Sequence, residues 1–260
     1  MTPSVFDLTG RVALVTGAGS PTGIGFATAA LLGELGCAVA LCATSERIDE
    51  RAAALTSAGV PASGHVGDLT DEAAVQRILA EVRERHGAVD IVVNNAGMIS
   101  VTTAGEQGAL IDMDLATWRA GLARNLDTAF LVTRAALPDM VARGWGRIVH
   151  VASVTGPVMA MRDEPVYAAA KAAMVGLARS ITVDYAARGI TANAVAPGWI
   201  ATGSQTPHEH DQGRRSPVGR SAEPVEVASA IAWLCTPGAG YVTGQCLVVD
   251  GGNSVSEERA

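Results

Sequence analysis

Hydrophobic positions along the chain follow two alternating patterns. Short runs of β-branched or apolar residues, typical of buried strands, alternate with longer alanine-rich segments whose apolar residues recur at helical spacing. Because successive strand–helix units wind into a parallel sheet, this alternation predicts an α/β fold. The predicted strands span residues 11–16, 38–43, 62–66, 89–93, 147–152, 191–196 and 246–249. The predicted helices span residues 23–35, 46–58, 71–86, 115–142, 165–187 and 224–235.

Two segments interrupt this alternation. Residues 100–110 and 202–222 are rich in glycine, threonine, proline or charged residues. Irregular segments beside a regular scaffold commonly carry binding specificity, so both are predicted to be substrate loops. No internal repeat or Pro/Ser-rich linker divides the sequence, and 48% of its residues are hydrophobic. The chain is therefore expected to form a single domain over residues 1–260 with a large buried core.

The charge distribution disfavours several classes of partner. The net charge is −7 and the arginines are scattered, so a surface that binds nucleic acid is not expected. The four cysteines stand singly without a histidine cluster, which predicts reduced thiols and no metal site. The N-terminus lacks the basic start of a leader, and no apolar run approaches the ~18 residues that span a bilayer. A cytoplasmic protein without a membrane partner is the simplest expectation.

One lysine stands out among the cationic residues. The chain has eighteen arginines but a single lysine, Lys171, which follows Tyr167 by four residues. On a helix this spacing places both side chains on one face, where an ammonium would lower the pKa of the phenol and prepare it for acid/base catalysis. The alternative is an exposed helix with one incidental lysine.

A glycine-rich turn follows the first predicted strand. The sequence Thr16-Gly-Ala-Gly-Ser-Pro-Thr-Gly-Ile-Gly25 leads into an alanine-rich helix. Glycines permit close backbone approach, and a helix N-terminus offers N–H groups to a pyrophosphate, so Gly17, Gly23 and Gly25 are predicted dinucleotide contacts. An ordinary tight turn between strand and helix is the alternative.

The end of the second predicted strand bears on the choice of dinucleotide. An acid at this position binds the ribose 2′-OH of NAD and would repel the 2′-phosphate of NADP. Here the position is Ala43, followed by Thr44 and Ser45 and, after Glu46, by Arg47. Neutral and cationic side chains favour NADP(H) as the preferred cofactor, whereas Glu46 keeps NAD(H) possible.

Further motifs extend this pattern over essentially the whole chain. Asn94-Asn95-Ala96-Gly97 follows the fourth strand, Ser153 the fifth and Pro197-Gly198 the sixth. Together with the glycine turn and Tyr167-x-x-x-Lys171, they make the chain resemble the classical short-chain dehydrogenases/reductases. The resemblance implies a doubly wound Rossmann fold with a seven-stranded parallel sheet of order 3-2-1-4-5-6-7. It also implies a homotetramer, or a homodimer, assembled through the long helices around residues 117–142 and 165–187.

The resemblance implies roles for residues at matching positions. Tyr167 would be the general acid in carbonyl reduction, Lys171 would bind the nicotinamide ribose and lower the tyrosine pKa, and Ser153 would donate to the reacting oxygen. Asn125 would anchor a water in the proton relay. The further cofactor contacts implied in this way are Ser20, Thr22, Ile24, Asp68, Leu69, Asn94, Ala96, Gly97, Pro197, Gly198, Ile200 and Thr202. Taken alone, Ser153 could cap a turn, Asn125 could bond within a helix and Asp68 could begin one.

Four features depart from the family pattern. Five residues separate Gly17 from Gly23 where three are usual, and Ser153 and Tyr167 are fourteen residues apart, one more than the commonest spacing. Residues 159–165 carry three charges beside the expected substrate mouth, and the segment 100–110 is longer than typical. We expect these features to shape specificity and to leave hydride transfer unchanged.

The resemblance favours reduction of a small carbonyl compound, or oxidation of the matching secondary alcohol. Alternatives are a 3-oxoacyl-[acyl-carrier-protein] reductase, with Arg143, Arg147 and Arg188 as possible docking residues, and an NAD-dependent alcohol or sugar dehydrogenase. Epimerisation or dehydration with a tightly held NAD is disfavoured because Ala43 is not an acid. A protein that only senses NADP is disfavoured because Tyr167 and Lys171 are both present.

Overall fold

One parallel sheet contains all seven predicted strands. The computed structural model of the chain describes residues 3–97 and 107–257. Its strands are β1 Val12–Thr16, β2 Ala38–Ala43, β3 Ala62–Val66, β4 Ile91–Asn94, β5 Gly146–Val151, β6 Ile190–Pro197 and β7 Cys246–Val249. Their order is β3-β2-β1-β4-β5-β6-β7, and every neighbouring pair is parallel. The predicted fold and strand order are therefore confirmed.

Helices cover both faces of this sheet. They are α1 Ile24–Glu34, α2 Arg47–Ser57, α3 Glu72–His86, α4 Leu115–Leu122, α5 Thr128–Arg143, α6 Pro165–Tyr185, α7 Pro207–Arg214 and α8 Pro224–Cys235. Short 3₁₀ turns lie at Leu110–Asp112, Ala186–Arg188 and Pro237–Ala239. Along β1, Ala13 and Val15 join the core beneath α1 and α8, whereas Leu14 joins the core beneath α3, α5 and α6. The alternation of side chains along each strand thus supplies two apolar layers.

The start of β4 differs from its prediction by two residues. The strand begins at Ile91, and the buried carboxylate of Asp90 accepts a hydrogen bond from the backbone N–H of Val12 at 3.0 Å. Arg143 donates to the same carboxylate at 3.1 Å. A buried carboxylate needs such hydrogen-bond partners, and through them Asp90 connects β1, β4 and the end of α5.

Two predicted segments have more structure than the sequence pattern indicated. The helix predicted over residues 115–142 is interrupted by a π-helical turn, Ala123–Asp127, between α4 and α5. The segment 202–222, predicted as a loop, contains α7. Its start is a capping box. The Thr206 hydroxyl accepts from the Glu209 backbone N–H at 3.2 Å, and the Glu209 carboxylate accepts from the Thr206 backbone N–H at 2.6 Å.

Helix α6 accounts for the most apolar stretch of the chain. An 18-residue window within Pro165–Arg188 is long and apolar enough for a membrane span, although the sequence contains no uninterrupted apolar run of that length, and 39% of that window is buried. Met174, Ala178 and Ile181 are buried against the sheet. Packing against the sheet therefore accounts for the apolar residues on this face of the helix.

The carboxyl ends of the parallel strands meet at one edge of the sheet. The chain winds from β1 to β2 and β3 in one direction and then returns to β4 on the other side of β1. A crevice forms where the winding reverses, and ligands of such folds bind there. The predicted site residues follow the ends of β1 to β6 at this edge.

Candidate active site

Thr16 and Asn95 fasten the glycine turn to the end of β4. The Thr16 hydroxyl accepts hydrogen bonds from the backbone N–H groups of Asn95 and Ala96, at 3.0 and 2.9 Å. The Asn95 side-chain amide donates to the carbonyl oxygens of Thr16 and Gly17, both at 3.0 Å. These contacts hold the turn at the point where the winding of the sheet reverses.

Close packing explains two glycines of the turn. A Cβ at Gly25 would lie 2.6 Å from Asn95 Nδ2, and one at Gly17, where φ is +66°, would lie 2.8 Å from Ala96 Cα. Gly23 is the N-cap of α1 and supplies no side-chain cap, and the first helical turn from Ile24 contains no acid. The N–H groups at this helix end are therefore suited to a phosphate.

The inserted part of the glycine turn is solvent-exposed. Ser20, Pro21 and Thr22 are exposed, and the Ser20 and Thr22 hydroxyl oxygens lie 3.5 Å apart. Both hydroxyls therefore stand beside the N-terminus of α1, at the place where the sequence predicts phosphate contacts.

The end of β2 lies directly against the glycine turn. A Cβ placed on Gly19 would be 3.1 Å from the Cβ of Ala43, so the strand ends where the sequence predicts the residue that selects the dinucleotide. Thr44 and Arg47 are exposed, and Arg47 Nε donates to the Ser45 hydroxyl at 3.2 Å. Arg47 and Ser45 thus form one polar group beside the turn, able to bind a phosphate.

Asp68 and Leu69 follow β3 but present different groups. Asp68 is exposed, and its Oδ1 accepts hydrogen bonds from the backbone N–H and the hydroxyl of Thr70, at 2.9 and 2.8 Å. The Leu69 side chain is buried in the core beneath α3. Any ligand contact of Leu69 would therefore use its backbone.

The Asn94 side chain points into the protein interior. Its amide Nδ2 donates to the Thr133 hydroxyl at 2.9 Å and lies 3.1 Å from His150 Nδ1. Successive residues of a strand point to opposite faces, so it is Asn95 that faces the glycine turn. Any contact of Asn94 with a ribose would therefore use its backbone, and sequence reasoning missed the structural role of Asn95.

Asn125 lies in the π-helical turn and contacts the chain after β4. Gly97 has a φ of +121°, and a Cβ there would lie 2.9 Å from Asn125 Oδ1. Asn125 is buried and its Nδ2 donates to the Gly121 carbonyl at 3.2 Å, whereas its Oδ1 has no hydrogen-bond partner in the described parts of the chain. A buried acceptor of this kind is suited to bind a water or a substrate group.

Ser153 and Tyr167 are brought together by β5 and α6. The Ser153 hydroxyl is close enough to the Tyr167 phenol to lower its pKa by hydrogen bonding. The Ser153 oxygen also accepts from the Thr155 backbone N–H at 3.1 Å. The fourteen-residue separation is therefore compatible with contact. Gly156 allows the chain after β5 to pack closely against α6. It has a φ of +109°, and a Cβ there would overlap the Ala168 carbonyl oxygen of α6.

Lys171 is buried one helical turn from Tyr167. Its Nζ donates to the Val151 carbonyl at 2.9 Å and lies 5.5 Å from the centre of the Tyr167 ring. Burial lowers the pKa of the ammonium to about 8. The predicted juxtaposition of phenol and ammonium on one helix face is thus present in the structure.

The predicted lowering of the tyrosine pKa is wrong for this state of the protein. Burial raises the pKa of Tyr167, the hydrogen bond with Ser153 lowers it, and the charges of Glu164 and Glu209 raise it further. Loss of water around the phenol is the largest of these effects.

The chain after β6 passes the opposite side of the crevice. Pro197 is buried at the strand end, and Gly198 packs on Asp250, where a Cβ would lie 2.7 Å from Asp250 Cβ. Ile200 and Ala222 form an isolated bridge, and the Thr202 hydroxyl lies 3.0 Å from that of Ser204. Thr202 therefore begins the segment that leads to α7.

The segments 100–110 and 159–165, both expected to shape specificity, contact each other beside the crevice. The backbone N–H of Gly108 donates to the Asp163 carbonyl at 2.9 Å, and Gln107 Nε2 donates to the buried Glu164 carboxylate at 2.7 Å. Residues 100–106 of the predicted loop lie outside the described residues. Sequence reasoning missed Glu164 and Glu209, although Glu164 stands only three residues before Tyr167.

The arginines considered for carrier-protein docking lie away from this mouth. Arg147 is buried near the start of β5 and lies over the Trp145 ring at 4.4 Å, and Arg143 bonds the Val89 carbonyl. Arg188 precedes β6. These positions are at the edge of the sheet opposite the strand carboxyl ends, so the predicted docking patch is not formed there.

Comparison with known proteins shows similarity over almost the whole chain. The family model described as enoyl-(acyl carrier protein) reductase matches residues 17–254. A cis-4-hydroxycyclohexanecarboxylate dehydrogenase from Sinomonas cyclohexanicum is 42% identical, over 93% of this chain and 96% of its own length. A 3-oxoacyl-[acyl-carrier-protein] reductase from Vibrio cholerae is 38% identical, over 95% and 98%. The crystal structure of a gluconate 5-dehydrogenase from Burkholderia cenocepacia, in complex with NADP and tartrate, superimposes with a TM-score of 0.88 at 33% identity, covering 97% of this chain and 98% of that one.

Proposed function

The chain belongs to the classical short-chain dehydrogenase/reductase family, and from this membership we propose that it transfers a hydride between NADP(H) and a small ketone or secondary alcohol. The observation that carries the proposal is the pairing of Ser153 with Tyr167 and the burial of Lys171 one helical turn away, at the edge of the sheet that also carries the glycine turn. Related proteins named as dehydrogenases and reductases support the reaction class.

The residues at the sheet edge fit a dinucleotide. The uncapped N-terminus of α1 would offer its N–H groups to a pyrophosphate. The close packing of Gly17 and Gly25 on Ala96 and Asn95 would hold the glycine turn in place beside it. Ser45 and Arg47 would hold a 2′-phosphate beside Ala43, which supports NADP(H) over NAD(H). A bound nicotinamide supplies or accepts the hydride.

The side chains around Tyr167 would manage the proton and the developing charge. The Ser153 oxygen already accepts the Thr155 N–H, so its own proton can be donated to the substrate oxygen. Tyr167 Oη would give its proton to that oxygen in reduction and remove it in oxidation. Lys171 would stabilise the phenolate, and the unpartnered Asn125 Oδ1 would hold a water that returns the proton.

The substrate is proposed to be a small polar molecule carrying a keto or secondary hydroxyl group. Two similar proteins are named for such compounds, a cyclic hydroxy acid and gluconate. Reduction of a 3-oxoacyl group on a carrier protein is a second candidate, favoured by the similarity to the Vibrio cholerae reductase. The internal bonding of Arg143 and Arg147 argues against the docking patch first considered for it.

A cofactor-matched activity screen tests the proposal. The purified protein would be assayed by nicotinamide absorbance with NADPH and NADH against β-keto esters, cyclic ketones and keto sugar acids. The reverse direction would use 4-hydroxycyclohexanecarboxylate and gluconate, and an acetoacetyl thioester would represent carrier-protein substrates. We expect turnover with NADP(H) on at least one small substrate. Binding of NADPH without turnover on any of them would contradict the proposed reaction.

A further inference from the structure

A hydrogen bond joins the glycine turn to the segment that carries α7. The Thr22 hydroxyl oxygen accepts from the backbone N–H of Gly203 at 3.0 Å, between residues 181 positions apart in the chain. Thr22 belongs to the longer-than-usual part of the turn between Gly17 and Gly23. The extended turn thus has a definite partner across the crevice.

Gly203 is fitted closely to this contact. A Cβ at Gly203 would lie only 2.6 Å from Thr22 Oγ1. The φ of Gly203 does not lie between +20° and +160°, the range that L residues rarely adopt. The absence of a side chain at Gly203 therefore serves the approach to Thr22, since the backbone conformation itself would accept alanine.

Each end of this hydrogen bond leads directly to a part of the candidate active site. Thr22 immediately precedes Gly23, the N-cap of α1, where the phosphates are proposed to bind. Gly203 follows Thr202 and stands three residues before Thr206, whose capping box begins α7. Within α7, Glu209 is close enough to Tyr167 for its charge to raise the pKa of the phenol.

We propose that Thr22 is a positioning residue that couples dinucleotide binding in the glycine turn to the placement of α7 over the substrate site. The inference rests on the proposed function, because it requires that the turn hold the phosphates. Thr22 is exposed, and its nearest hydroxyl, that of Ser20, is 3.5 Å away. Phosphates bound by the turn would immobilise it and so strengthen the bond to Gly203.

Coupling of this kind is reciprocal. If the dinucleotide stabilises α7 in place, then a substrate held beneath α7 must also strengthen dinucleotide binding by the same factor. One neutral hydrogen bond supports an effect of about threefold to tenfold. Substrate and dinucleotide would therefore each bind more tightly when the other is present.

Amide hydrogen exchange of α7 tests the coupling without using activity. Exchange of the peptide covering residues 203–215 would be measured by mass spectrometry with and without saturating NADPH, after titration of each variant. Thr22→Val removes the acceptor while keeping the shape, and Thr22→Ser is the matched control that keeps the hydroxyl. NADPH should slow exchange about threefold to tenfold in the natural protein and in Thr22→Ser, and less than about twofold in Thr22→Val.

A second variant approaches the same contact from the other side. Gly203→Ala places a methyl group against Thr22 Oγ1 and should abolish the NADPH-dependent slowing as Thr22→Val does. The double variant should lose no more than either single variant, because both break one interaction. If NADPH binds Thr22→Val and slows α7 exchange as much as in the natural protein, the coupling is refuted while the proposed function stands. If NADPH fails to bind the natural protein, the proposed function fails first.

Discussion

Burial and charge shift the pKa of Tyr167 in one direction, and a hydrogen bond shifts it in the other. Its loss of water and the carboxylates of Glu164 and Glu209 raise the pKa of the phenol, and its hydrogen bond with Ser153 lowers it. A protonated tyrosine is the form needed to donate a proton to a carbonyl oxygen. In this state the phenol is therefore held in its protonated form, and Lys171 would stabilise the phenolate that remains after the proton is donated.

Removing the Tyr167 hydroxyl tests its role as the proton donor. Tyr167→Phe should lower kcat by about 10²-fold or more, because a positioned general acid contributes a factor of about this size. Affinity for NADPH, measured by titration, should change little. Tyr185→Phe, on the same helix and packed into the core, is the matched control and should keep its activity. Full activity in Tyr167→Phe would remove the phenol from the reaction.

Position 43 tests the basis of cofactor choice. Ala43→Asp places a carboxylate beside Ser45 and Arg47, where it would repel a 2′-phosphate and bind a ribose 2′-OH. We expect the ratio of NADPH to NADH affinity to fall by about tenfold or more, measured by titration with both nucleotides. Ala43→Asn keeps the shape without the charge and should move the ratio much less. An equal shift in both variants would show that packing, rather than charge, sets the preference.

At the scale of elements, Gly156 determines how α6 meets β5. Its φ of +109° and its contact with the Ala168 carbonyl bring the helix that carries Tyr167 and Lys171 back over the strand end. Any side chain at this position must push the helix away. The catalytic geometry therefore depends on a residue that has no functional group.

Alanine substitution of Gly156 should destabilise the protein and displace α6. Gly59 offers a matched control, since it has a similar φ of +87° but nothing within 4 Å of its Cβ position. Gly59→Ala should cost about 1 kcal/mol of unfolding free energy from backbone strain alone. Gly156→Ala should cost at least about twice as much, by denaturant titration, and should also reduce turnover. Equal losses of stability in the two variants would contradict the packing argument.

The sequence pattern predicted elements with a strong apolar period and missed those without one. The strands β1, β2, β4, β5 and β6 and the core-facing helices contain many buried apolar residues, whereas β7 has none. The bounds of all seven strands differ from prediction by two residues at most. Helix α7 buries only Gly213, so its polar residues gave no helical period. Its start signal was nevertheless present, as Thr206 and Glu209 at capping-box spacing.

The sequence predicted which residues form the site but not the direction in which each side chain points. Ser153, Tyr167 and Lys171 stand together as their spacing indicated, whereas Asn94 turns inward and Asn95 holds the glycine turn. One residue of register decides which asparagine faces the crevice, and a motif alone does not give that register. The π-helical turn at Asn125 likewise depends on tertiary packing.

At the scale of the whole molecule, the long helices leave apolar side chains in water. Val183 on α6 is 86% exposed and Phe130 on α5 is 44% exposed. We propose that these helices form the contacts of a homotetramer, as the family resemblance implies. Light scattering should then give four times the chain mass of 26.5 kDa. Val183→Glu should shift the protein to smaller species, whereas Ala53→Glu on the exposed side of α2 should not. A monomer in the natural protein would contradict the assembly.

Acid sensitivity of the whole fold is predicted from His150. The imidazole is fully buried on β5 beside Asn94, and burial together with the Lys171 charge lowers its pKa from 6.5 to about 4. Between these two pH values the unfolded chain binds the proton and the folded protein does not, so stability falls as pH decreases through this window. His86, whose pKa burial also lowers, acts with the same sign. Glu226 is salt-bridged to Arg220, and its pKa is lowered to about 2. The stability that it contributes is therefore lost only at more acidic pH, below the unfolded value of about 4.3.

The contribution of His150 should be about 3 kcal/mol of unfolding free energy between pH 6.5 and 4. His150→Asn removes the titrating group, so denaturant titrations across this range should show a flatter dependence on pH, whatever the absolute stability of the variant. His208→Asn removes a solvent-exposed histidine of α7 and should leave the slope as it is in the natural protein. An unchanged slope in His150→Asn would mean that the buried imidazole takes up its proton in the folded state as readily as in the unfolded one.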